Sequence, residues 1–180
     1  MENTVFWITG LSGPGKTTIG KRLYMRLRER GFPVVMLDGD SMRAVFGDVF
    51  GYSEDERRKC AMCYSRLCKM LAEQGITVVC CTISMFDSVR SWNRENISDY
   101  VEVYIKTSLK TLIKRDQKGL YSGLQEGASS NVPGMDMRFE EPKMPDVVID
   151  NDGNISIDEC VDYILKAEKA HMISLRNHSQ

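Results

Sequence analysis

The residues with the plainest chemical purpose lie near the start of the chain. Gly10-Leu11-Ser12-Gly13-Pro14-Gly15-Lys16-Thr17 satisfies G-x-x-x-x-G-K-[ST], with Thr18 next. In this pattern glycines let the backbone curl so that its N–H groups converge on phosphate oxygens. The lysine reaches the outer phosphates and the following hydroxyl is offered to Mg²⁺. Pro14 removes one backbone donor without closing the cradle. The implied ligand is a nucleoside triphosphate with Mg²⁺.

About twenty residues further on comes Leu37-Asp38-Gly39-Asp40, with Arg43 three residues later. Taken alone, Asp-Gly-Asp reads equally as a helix N-cap with a solvated turn. Beside a phosphate cradle, two carboxylates can instead divide the labour of phosphoryl transfer. One holds Mg²⁺ and its waters, and the other accepts the proton of an attacking hydroxyl.

Other chemistries are poorly supplied. The only histidines, His171 and His178, are near the C-terminal end, which leaves little for Ser-His, Cys-His or His-rich metal sites. Cys60, Cys63, Cys68, Cys80, Cys81 and Cys160 fall inside expected helices and strands and read as buried thiols. Cys60 and Cys63 form a C-x-x-C without a second pair, and Cys60, Tyr64, Leu67 and Leu71 share one helical stripe. Lys+Arg 24 against Asp+Glu 25 gives a net charge of -1, so no global positive field would hold a nucleic-acid polymer or an anionic membrane. No apolar run approaches the ~20 residues needed to span a bilayer, and the N-terminus lacks a basic n-region; a cytoplasmic protein is expected.

The elements that must position these groups alternate. Short apolar runs at Val5–Thr9, Val34–Leu37, Ile76–Ile83, Val101–Ile105 and Asp146–Ile149 read as fully buried parallel strands. Helical patterns lie between and after them, near residues 16–30, 54–74, 87–98, 108–116 and 156–170. The fold class is α/β: a P-loop NTPase-type three-layer α/β/α arrangement with a mainly parallel five-stranded sheet. This places Asp38 and Asp40 at the carboxyl end of the second strand, on the same sheet edge as the cradle. Residues 117–145 hold four glycines and three prolines without a sustained period and read as a lid. One kinase domain over 1–170 and a tail over 171–180 complete the expected organisation.

The stretches FWITGLSGPGKTT, LDGDSMR, FGYSEDERR, ISMF, EVYIK, KRDQKGLY and GMD…EEPKMPDVVI follow one another from Phe6 to Ile149. In order and spacing the chain resembles the adenylyl-sulfate kinases, and LDGD and RDxKGLY are the more telling elements. The resemblance implies transfer of the γ-phosphoryl group of ATP, with Mg²⁺, to the 3'-hydroxyl of a nucleotide anhydride. It also implies a homodimer. Gly10, Ser12, Gly13, Gly15, Lys16, Thr17, Thr18, Arg115 and Lys118 match the ATP-binding pattern, with Gly119 and Tyr121 at the lid hinge. Thr17 and Asp38 match the metal positions and Asp40 the proton acceptor. Arg43 and Arg57 match the arginines on the substrate's anionic part, Tyr52 an aromatic plate, and Ser84 and Lys118 further substrate contacts.

Departures collect on the acceptor side. Lys59-Cys60-Ala61-Met62-Cys63 stands where the family carries an amide and two cations, and Met85 follows Ser84 in place of proline. Val132-Pro133-Gly134 replaces Phe-Thr-Gly, whose phenylalanine stacks on adenine in the family. Cys60 and Val132 therefore become candidate acceptor contacts, and a cytidine nucleotide such as cytidine diphosphoramidate is favoured over adenylyl sulfate. The chain is also similar to a subgroup that includes cytidine diphosphoramidate kinase. Two other classes compete: a small-metabolite kinase, which would lack RDQKGLY, and a noncatalytic nucleotide-binding module, which would be expected to lose Lys16, Thr17 or an aspartate.

Overall fold

The computed structural model describes residues 3–116, 119–125, 132 and 134–178. Five strands, β1 (Val5–Thr9), β2 (Val34–Asp38), β3 (Thr77–Cys81), β4 (Tyr100–Lys106) and β5 (Val147–Asp150), form one sheet in the order β2-β3-β1-β4-β5. Every pairing is parallel. The helices are α1 (Lys16–Glu29), α2 (Gly39–Phe46), α3 (Glu54–Glu73), α4 (Asp87–Asn96), α5 (Leu109–Arg115), α6 (Leu120–Gln125) and α7 (Ile157–His178).

The inner strands β1, β3 and β4 are buried on both faces because helices cover the sheet there, whereas the edge strands β2 and β5, also expected to be fully buried, are only part-buried, with Val148 of β5 exposed. Phe6 and Ile8 of β1 join Val79 and Cys81 in a core with Leu23 and Leu27 of α1 and Ile164 of α7. Val5 and Trp7 point the other way, with Val78 and Cys80, onto Cys60, Tyr64 and Cys68 of α3 and Val89 of α4. Alternate residues of one strand thus feed two cores, and each large apolar side chain so buried contributes roughly 1.5–3 kcal/mol.

Local chemistry sets the ends of the helices. Ser53 and Glu56 form a reciprocal capping box at the start of α3. After α1, Gly31 takes a left-handed φ of 82°, and the Phe32 amide returns to the Leu27 carbonyl at 3.2 Å. Because every strand runs the same way, the loops after β1, β2 and β3 meet at one sheet edge, where ligands of open α/β sheets bind.

Two expectations need correction. Residues 39–46 form α2 rather than a turn, since the Asp38 carboxylate caps the segment and Met42 is buried beneath it. Helix α7 continues to His178, so the expected tail is helical through most of its length. The interval 117–145 contains α6, begun where Asp116 accepts the amides of Tyr121 and Ser122, each at 3.0 Å. The rest of the expected lid over 117–118, 126–131 and 133 lies outside the described residues. Among the described residues no helix is long and apolar enough to cross a membrane.

Candidate active site

The cradle follows β1 directly. A Cβ on Gly10 would lie 2.5 Å from the Ile105 carbonyl oxygen, so only glycine lets the chain leave β1 past β4. Gly15, at φ 98°, turns the backbone left-handed immediately before α1. Lys16 is nearly buried, and its ammonium donates to the Leu11 carbonyl. The loop is braced from outside: the Tyr121 hydroxyl donates to the Ser12 carbonyl at 2.9 Å, and Asn151 Nδ2 to the Pro14 carbonyl at 2.7 Å.

Thr17 Oγ1 donates to Asp38 Oδ2 at 2.7 Å, and Asp38 Oδ1 accepts the Asp40 amide at 3.1 Å. One carboxylate therefore joins the cradle to the helix that carries Asp40 and Arg43. Beneath it, the Cys81 thiol is pushed up to about 12, by burial first and then by the Asp38 carboxylate, so it stays protonated and donates to the Lys16 carbonyl at 3.5 Å.

A cavity of about 470 Å³ opens over this edge. Its lining includes Ser12, Gly13, Gly15, Lys16, Thr17 and Thr18 of the cradle, together with Asp38, Asp40, Arg43, Tyr52, Arg57, Cys60, Ser84 and Val132. Gly10 lies behind the wall, against β4. Arg115 is not brought to the cavity: its Nη2 donates to the Asn151 carbonyl at 2.9 Å, which links α5 to the residue bracing the cradle. Lys118 lies outside the described residues.

Arg43 and Arg57 both lie against one aromatic ring. Arg43 donates to the Phe50 carbonyl at 2.9 Å and the Gly51 carbonyl at 3.2 Å, with its guanidinium 4.4 Å from the Tyr52 ring centroid. Arg57 Nε donates to the Tyr52 carbonyl at 2.9 Å, its guanidinium 5.1 Å from the same centroid. Burial, and next the charge of Arg43, hold the Arg57 guanidinium below its ordinary range. Two cations grouped at one ring favour a nearby anion.

Val132 is 3% exposed and packs with Leu112, Tyr121 and Leu11. Cys60 is buried beside Tyr64, whose hydroxyl is pushed up by burial and then by its bond to Cys60. Ser84 and Thr82 share a 2.7 Å hydroxyl contact.

Several lining residues escaped the sequence reading. Tyr64 was assigned to a core stripe; it stacks on Phe46 at 6.0 Å, yet it also borders the cavity and donates to the Gly39 carbonyl at 3.3 Å. Asn151, which braces the cradle without lining the cavity, had a usable signal, an amide directly after the fifth strand. Met137, Arg138 and Phe139 lie in an irregular segment with no periodic mark.

The donor set suits Mg²⁺. A hydroxyl and a carboxylate, both hard oxygen donors, converge at Thr17 and Asp38. Among the described residues no group of three or more His, Cys, Asp or Glu side chains forms a protein cage.

Parallel sheet, glycine cradle and an acid pair at one sheet edge define a P-loop phosphotransferase. The chain belongs to the adenylylsulphate kinase family, whose sequence profile matches residues 2–150. It is 38% identical over 162 residues to the cytidine diphosphoramidate kinase of Campylobacter jejuni, covering 90% of this chain and 94% of that one. It is 39% identical over 150 residues to a probable adenylyl-sulfate kinase of Archaeoglobus fulgidus, covering 83% and 97%. The structure of the Mycobacterium tuberculosis APS kinase in complex with AMPPNP and APS superposes with a TM-score of 0.87 at 29% identity, covering 93% of this chain and 98% of that chain. The protein is thus an ATP-using kinase of the adenylyl-sulfate-kinase type, with an alcohol group as acceptor.

Proposed function

We propose that the protein transfers the γ-phosphoryl group of ATP to the 3'-hydroxyl of a cytidine nucleotide anhydride, cytidine diphosphoramidate being the representative acceptor. One observation carries the choice of base. Val132 lines the acceptor side as a small aliphatic packed into the Leu112–Tyr121 cluster, so no second aromatic plate faces the base from that position. Stacking on an aromatic is worth about 1–3 kcal/mol per base, and a second plate would add most for a purine. The 38% identity to a cytidine diphosphoramidate kinase supports the same reading.

In this account the cradle amides and Lys16 hold the triphosphate, while Thr17 and Asp38 hold Mg²⁺, which would neutralise charge on the phosphate oxygens when bound. Asp40 accepts the proton of the 3'-hydroxyl. Arg43 and Arg57 clamp the acceptor's anionic tail, Tyr52 supports its base, and Cys60 and Ser84 shape the floor. Residues 117–145, with Lys118 and Arg115, close over ATP within a single kinase domain of a cytoplasmic homodimer.

Adenylyl sulfate is the second reading, favoured by Arg43, Arg57 and Tyr52 being grouped as an anion and base site. A coupled ADP-release assay with each acceptor separates the two. The higher kcat/KM is expected with cytidine diphosphoramidate; a higher value with adenylyl sulfate would establish the second reading.

A further inference from the structure

Three arginines line the cavity among the described residues, and they differ in their commitments. Arg43 spends two donors on backbone carbonyls and Arg57 at least one. The third, Arg138, is exposed and lines the same cavity, and it makes no hydrogen bond or ion pair among the described residues.

Its backbone is nonetheless fixed on both sides. On the N-terminal side the Met137 amide donates to the Val132 carbonyl at 3.3 Å, and the Gly134 amide donates to the Met137 carbonyl at 3.1 Å. On the C-terminal side the Glu140 amide donates to the Met85 carbonyl at 3.0 Å, and buried Arg90 donates to the Glu140 carbonyl at 2.8 Å. The Asp87 amide donates to the Glu140 carboxylate, and Arg90 is itself paired with Asp87 and, at 3.4 Å, with Glu102. The segment bearing Arg138 is therefore bolted beside Ser84 and Met85, past the carboxyl end of β3. A rigid base under an uncommitted guanidinium lowers the ordering cost of gripping a ligand.

We infer that Arg138 is a specificity-determining residue of the acceptor subsite, a third cation that engages the terminal anionic group of the acceptor's anhydride. The inference rests on the nucleotide-anhydride reading. A guanidinium fork matches a terminal phosphoryl or sulfuryl edge, and this one breaks no protein contact to supply it. Arg43 and Arg57 would then grip the inner part of the tail and Arg138 its outer end, so that acceptors without an outer anionic group gain nothing from it.

The test compares wild type with R138A, R138K and R138E. For the better of cytidine diphosphoramidate and adenylyl sulfate, R138A should lose about 10- to 100-fold in kcat/KM, mainly through KM, as expected for a lost charge-assisted bond. R138E should lose more and R138K less. KM for ATP should stay within about twofold, and the melting temperature should not move, because the side chain holds no described part of the fold. The Ki of the corresponding nucleoside 5'-monophosphate as a competitive inhibitor should be the same for wild type and R138A. An active wild type with an unchanged acceptor KM in R138A, or an equal loss with the monophosphate, would overturn this inference alone. No turnover of either acceptor by the wild type would overturn the reading beneath it and this inference with it.

Discussion

Thr17 and Asp38, 21 residues apart in sequence, meet at 2.7 Å, and the same carboxylate caps α2 through the Asp40 amide. One side chain therefore serves both the cradle and the helix presenting Asp40. Asp38→Ala should lose the cap, about 1 kcal/mol or roughly 2–4 °C in melting temperature for a chain of this size, together with about 10²-fold or more in turnover. Asp38→Asn, still able to cap, should recover the melting temperature but not the rate. Calorimetry beside steady-state kinetics distinguishes the two effects; equal recovery of both would remove Asp38 from metal binding.

Asp40 is an exposed residue in the first turn of α2 and lines the cavity. Asp40→Asn should leave the melting temperature within a few degrees while turnover falls about 10²-fold, the scale of a lost proton acceptor. Near-normal turnover in this variant would assign the base elsewhere.

Tyr121 braces the cradle through Ser12. Burial pushes its hydroxyl up to about 12, with the charge of Asp116 adding to the shift, so it remains a neutral donor at working pH. Tyr121→Phe would leave the Ser12 carbonyl short of one partner, and affinity for Mg-ADP should weaken by roughly 5- to 10-fold. Isothermal titration calorimetry measures this directly, and an unchanged Kd would contradict the bracing role.

Much of this machinery was legible because one physical signal dominated each part. An apolar run followed by the glycine-lysine pattern marks β1, the cradle and α1, and strands buried on both faces need no alternation to be found. Helix α2 was only partly legible: Asp38 could be read as an N-cap, but not the helix that follows it. It opens on glycine and aspartate, carries Val45 exposed on its surface, and depends on a cap from the preceding strand and on burial of Met42. The wall at residues 137–139 is irregular backbone fixed by distant carbonyls, which no local pattern announces. The bond from the Arg115 guanidinium to the Asn151 carbonyl joins residues 36 apart in sequence, and no local pattern announces it either.

Alkaline pH should destabilise the fold. The Cys81 thiol, ordinarily near 9.0, is pushed up to about 12 in the folded chain. Above its ordinary value the unfolded chain releases this proton while the folded chain keeps it, so stability falls as pH rises from about 9 to about 12. Cys81→Ala should show a shallower decline of melting temperature across that window, whatever its stability at neutral pH. An identical slope would show that the thiol is not protected from ionisation.

The phosphoryl group is expected to leave ATP for a nucleotide 3'-hydroxyl, and the product reports on this transfer most directly. Phosphorus NMR of a reaction containing the protein, Mg-ATP and cytidine diphosphoramidate should show ADP and a new phosphomonoester coupled to the ribose 3'-proton in equal amounts. ADP accompanied by inorganic phosphate alone, or a phosphoryl group on any other atom of the acceptor, would contradict the account.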